Sequence, residues 1–69
     1  MNNEYEIMAL LERGTGDNLE EWAETTLVEA QDLDKAGRMA KVFAREMARE
    51  HNAKVVDAFA IDDNGNASD

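Results

Sequence analysis

The chain has 69 residues, 16 acidic and 7 basic, for a formal net charge of −9, with no cysteine and no proline. That length holds one domain at most, and a small core at best. Disulfides are excluded, and a closed zinc site is excluded by the single histidine, His51.

Residues 5–11, Tyr-Glu-Ile-Met-Ala-Leu-Leu, place Tyr5, Ile7, Ala9 and Leu11 on one side and Met8 and Leu10 on the other. A short run that is apolar on both sides predicts a strand in the middle of a sheet. Arg13 to Asn18 contains Gly14, Gly16, Asp17 and Asn18 and reads as the turn of a hairpin.

Residues 19–30 carry two patterns. Leu19, Trp22, Ala23, Thr26, Leu27 and Ala30 recur at helical spacing, whereas Thr25-Thr26-Leu27-Val28 is rich in β-branched residues. We read a strand, because the next segment opens with its own helix start. Trp22, Glu24, Thr26, Val28 and Ala30 then share one side, and Ala23, Thr25, Leu27 and Glu29 the other.

Asp32 is placed to cap the following helix, and Asp34 favours the positive end of its dipole. Leu33, Ala36, Ala40, Phe43, Met47 and Ala48 form the apolar stripe, with Met39 and Val42 near its edges. Lys35, Arg38, Lys41, Arg45 and Arg49 occupy the polar side. The helix should stop near His51-Asn52, since Asn tolerates the left-handed conformation. Ala53 to Ile61 reads as a third strand, and residues 62–69, polar and acidic, as a disordered tail.

The expected architecture is one α+β domain over residues 1–61, β-β-α-β. Its three strands lie in the order 2-1-3, with one helix on one face and the other face open.

The catalytic inventory is empty: no cysteine nucleophile, one serine in the expected tail, and no phosphate-binding glycine motif. Asp62-Asp63-Asn64-Gly65-Asn66 resembles a calcium loop, but counting back from Gly65 puts Ala60 where the first ligand belongs. The sequence therefore predicts a non-enzyme with no cofactor and no metal.

Charge is unevenly spread. Residues 1–31 hold eight acids against Arg13 alone, while five of the seven bases lie between Lys35 and Arg49. A chain this acidic repels nucleic acid and attracts a protein with a basic surface. The residues expected to bind such a partner are Glu20, Glu21, Trp22, Glu24 and Glu29. Two other readings stand beside this one. The first is an adaptor that forms a homodimer through its open sheet face, and the second a nucleic-acid binder using the basic side of the helix. The longest apolar run, Ile7 to Leu11, is far too short to cross a bilayer, and no secretory pattern is present. A cytoplasmic protein is expected.

Residues 26–36, Thr-Leu-Val-Glu-Ala-Gln-Asp-Leu-Asp-Lys-Ala, followed by Ala40 and Ala44, resemble a strand, acidic cap and alanine-rich helix found in small phage-encoded inhibitors. Examples are the RNA polymerase inhibitors of the bacteriophage T7 type and small anti-CRISPR proteins. The resemblance is one of pattern over about residues 22–61 and transfers no site residue. It implies a small protein that blocks a host nucleic-acid machine by binding it.

Overall fold

The computed structural model describes residues 2–68. Strand β1 (Asn3–Arg13) leads through a 3-10 turn at Gly16–Asn18 into β2 (Glu20–Ala30). Helix α1 (Leu33–His51) and strand β3 (Lys54–Ile61) follow. β1 lies between the other two and pairs antiparallel with both, so the order is β2-β1-β3. The expected α+β arrangement is the observed one.

Local chemistry sets each boundary. Gly14, at φ 95°, turns the chain out of β1, and a Cβ there would lie 2.4 Å from the Asn18 carbonyl oxygen. At the helix start the Asp32 carboxylate accepts a hydrogen bond from the Lys35 amide at 2.8 Å, which occupies one of the free N-terminal donors. At its end Asn52 adopts the left-handed conformation (φ 53°, ψ 48°). The amide of Ala53 then closes on the Ala48 carbonyl at 2.8 Å, the pattern by which a left-handed residue stops a helix. The segment 19–30, ambiguous by spacing, is strand from Glu20 to Ala30, where eleven consecutive register pairs tie it to β1. Tertiary pairing overrides its helical periodicity.

The core lies between α1 and one face of the sheet. Tyr5, Ile7, Ala9 and Leu11 supply the β1 side, and Ala36, Ala40, Ala44 and Ala48 the helix side. Ala58 and Ala60 complete it from β3. Among the described residues eight of the eleven buried hydrophobic ones are alanines, and the only large side chains fully buried are Ile7 and Leu11. Small side chains on both surfaces let the helix approach the sheet closely. Leu33, Phe43 and Met47, expected within the stripe, pack at the margin of this core, half-exposed. Ala44, whose spacing fits either face of the helix, is fully buried.

β3 departs from regularity once. Leu10 pairs with Asp57 but Leu11 with Val55, so Val56 is an extra, bulged residue.

Residues 62–68, expected as a disordered tail, are ordered by a turn and a short strand-like return; Asp69 lies outside the described residues. The Asp62 carboxylate accepts hydrogen bonds from the amides of Asn66 and Asn64 and from the Asn66 side chain. The Asn66 amide is the main reason that the Asp62 carboxyl is held below its ordinary 3.8, against an opposing desolvation. The chain then bridges Ala67 to Ile61, and Ser68 exchanges hydrogen bonds with Ala60 through its amide and its hydroxyl. Composition alone points to disorder because no residue here is large and apolar. What holds the segment is hydrogen bonding to the free edge of β3.

The return seats Ser68 against Gly37. A Cβ on Gly37 would lie 2.5 Å from the Ser68 hydroxyl and 2.7 Å from its Cβ. In a Ser68→Gly background, Gly37→Ala should therefore stabilise the protein by about 1 kcal/mol, the helix-propensity difference. With Ser68 present the same substitution should gain less or destabilise, since Ser68 must lift off. Urea unfolding of the four proteins measures the coupling, and equal effects in both backgrounds would show that Ser68 does not dock there.

Candidate interaction surfaces

Side chains alternate across a strand, so the register assigns each residue of the hairpin to a face. The face turned from the helix has an apolar middle. Met8 lies between Thr25 and Phe59, and Leu10 between Ala23 and Asp57. Glu6 lies between Leu27 and Ile61. Met8, Leu10, Phe59 and Ile61 are half-buried, whereas Leu27 is 61% exposed. No other element covers this face, because α1, the only long helix among the described residues, packs on the opposite one.

Glutamates close the two ends of the same face. Glu4 stands directly opposite Glu29 at one end, and Glu12 directly opposite Glu21 at the other. Like charges in such positions repel and cost stability. Lys54, paired with Glu12, is the one basic residue placed in either end row by the register.

The five residues expected from sequence to meet a partner do not form one surface. Glu21 and Glu29 belong to the open face. Glu20, Trp22 and Glu24 point to the helix side of β2, because Trp22 pairs with the buried Leu11 and Glu24 with the buried Ala9. There they join the end of α1. The Trp22 indole N–H donates to Glu24 at 2.9 Å, and the His51 ring meets the indole edge-on at 5.7 Å. His51 Nε2 lies 3.6 Å from the same Glu24 carboxylate.

Arg13 closes this cluster. Its guanidinium lies 5.5 Å from the indole centroid, pairs with Glu20 at 3.1 Å and donates to the His51 carbonyl at 3.0 Å. Trp22 is thus a half-buried clasp between the hairpin and the helix C-terminus, and Glu20 and Glu24 already have internal partners. Alternation in the sequence separates Glu21 and Glu29 from the other three once the strand is accepted. The pairing of Glu20 with Arg13 has no sequence signal beyond their positions flanking the turn. Glu4, Glu6, Glu12 and Asp57 are the open-face acids that the expected site omitted.

A second exposed apolar region is a cleft of about 400 Å³ between α1 and β2, where the helix leaves the hairpin's outer strand uncovered. Ile7, Thr26, Val28, Met39, Val42 and Phe43 line it, with Arg38 and Glu46 at its rims. The basic side of the helix is divided as well. Arg38 borders this cleft and pairs with Asp34 at 3.3 Å. Lys41 and Arg45 border a shallower one beside Val55 and Asp57 of β3.

Among the described residues no three His, Cys, Asp or Glu side chains gather as metal ligands, and no helix is long and apolar enough to cross a membrane. No family model matches the chain, and neither a curated protein nor a solved structure matches it significantly.

Proposed function

We propose that the protein is a non-enzymatic inhibitor or modulator that docks its open sheet face on the basic surface of a nucleic-acid-processing protein. The carrying observation is the pair of opposed glutamates at each end of that face, Glu4 with Glu29 and Glu12 with Glu21. Each pair lowers the stability of the free hairpin and is relieved when a Lys or Arg of a partner comes between its carboxylates. The apolar middle, with Leu27 exposed and Met8, Leu10 and Phe59 half-buried, gives the partner something to bury, which charge alone does not.

Successive residues on one face of a strand are about 7 Å apart, close to the spacing of phosphates along a nucleic-acid strand. Glu4 and Glu6 therefore present charge at a pitch suited to a groove that normally holds a backbone. The phage-type resemblance of the strand–cap–helix segment fits this class of partner.

The test is competition. The intact protein, titrated into purified nucleic-acid enzymes such as bacterial RNA polymerase and RNA-guided nucleases, should displace labelled DNA or RNA from one of them. Its affinity there should fall by about tenfold or more between ~50 and ~300 mM salt. Displacement that is indifferent to salt would remove the charge-based reading. Direct binding of the protein to the nucleic acid itself at low salt would replace it with the helix-face alternative.

A further inference from the structure

We infer that the cleft between α1 and β2 is the half-site of a symmetric dimer, in which the β2 strands of two copies pair antiparallel into a continuous six-stranded sheet. The inference is independent of the function proposed above, since it uses the edge of the sheet and leaves the open face free.

The two sheet edges are treated differently. β3 carries the Val56 bulge, and Ala67 and Ser68 occupy its C-terminal end. Bulges and covering segments are common ways of blocking an edge against further pairing. β2 has neither. Its register with β1 runs unbroken from Glu20 to Ala30, and among the described residues it pairs with nothing else. Its middle, Thr25-Thr26-Leu27-Val28, is uncharged and rich in β-branched residues, which favours strand pairing.

Self-complementarity identifies the occupant as a second copy. A two-fold axis normal to the sheet through Thr26 pairs Thr26 with Thr26 of the second copy, Glu24 with Val28, and Glu29 with Ala23. No glutamate then faces a glutamate. The same cleft fixes a matching axis on the helix. Arg38 and Glu46 rim it at equal sequence distance on either side of Val42, about 6 Å along the helix in each direction.

Rotation about this axis turns Arg38 of one copy towards Glu46 of the other, twice, across the joined clefts above the paired β2 strands. Val42, 55% exposed, and Met39, 39%, line the walls of these joined clefts. Among the described residues Arg38 pairs with Asp34 alone, with side chains 77% and 81% exposed. Such an ion pair is worth little and is readily exchanged.

The test combines sedimentation equilibrium with cross-linking of the full chain at ~150 mM salt, where the repulsion between two acidic chains is screened beyond about 8 Å. The protein should be a dimer at micromolar to millimolar concentration. Arg38→Glu or Glu46→Arg alone should weaken it by about tenfold or more, and the double exchange should restore it. Circular dichroism of each variant verifies that the monomer is folded.

The chain has no cysteine of its own, so Thr26→Cys, at the self-paired position, should oxidise to a covalent dimer and Met8→Cys, on the open face of the central strand, should not. Three results would each overturn the inference: a monomer throughout, a dimer indifferent to both single exchanges, or cross-linking through Met8→Cys in place of Thr26→Cys.

Discussion

Leu11→Ala is expected to destabilise the protein by about 3 kcal/mol or more, whereas Leu10→Ala, one residue away, should cost less than about 1 kcal/mol. Leu11 is 1% exposed and packs into the core, while Leu10 is half-buried on the face without a helix. The contrast is large because the core is poor in large side chains. Ile7 and Leu11 alone are both large and fully buried, and alanines make up most of the remainder.

Removing one of the two leaves a cavity that neighbouring methyl groups cannot fill by rotating, so the cost belongs at the upper part of the usual range. A domain of this length has roughly 3–10 kcal/mol of stability in total. Leu11→Ala should therefore be largely unfolded well below the melting temperature of the parent. Urea titration followed by circular dichroism measures both substitutions. Equal midpoints for Leu10→Ala and Leu11→Ala would contradict the assignment of the core to one face.

The same core explains what the sequence made legible and what it did not. The helix could be bounded to within a residue because its ends use side-chain chemistry that is local: the Asp32 carboxylate on the Lys35 amide, and Asn52 in the left-handed region. The central position of β1 followed from its being apolar on both sides, and the order β2-β1-β3 from that. Less of the packing could be read. Leu33, Phe43 and Met47 are the most hydrophobic residues of the helix stripe, yet the alanines between them are the ones fully buried. Hydrophobicity marks the side of the helix, but the closest approach to the sheet goes to residues small enough to allow it.

The turn and return of residues 62–68 were not legible, because their partners are backbone groups of β3, which no composition records. The division of the expected binding set, with Glu21 and Glu29 on one face and Glu20, Trp22 and Glu24 on the other, follows from strand alternation, but which of its acids are already held does not. Whether an acid on β2 is free or already held depends on Arg13 and His51, 7 and 27 residues from Glu20 and Glu24 respectively, arriving beside it.

That division gives the second large effect, which has opposite signs for stability and for binding. Glu21→Lys together with Glu29→Lys should raise the stability of the free protein by about 0.5–2 kcal/mol. Each replaces a directly opposed glutamate pair, with Glu12 and with Glu4, by an attractive one. The same double variant should lose affinity for a basic partner by about 100-fold or more, because two contacts change from attraction to repulsion.

Glu20→Lys with Glu24→Lys is the matched control, with the same change in net charge made on the other side of the same strand. It should lower stability, since Glu20 holds Arg13 and Glu24 holds Trp22 and faces His51, and should weaken binding far less. A general attraction between an acidic chain and a basic protein would make the two variants equal in binding. A surface confined to the open face separates them. Residues that cost the free protein stability and are required for the complex are what a binding surface leaves behind when selected for its partner. On the proposed reading they are the glutamates facing each other across β1 and β2, and not those clasped by Arg13 and Trp22.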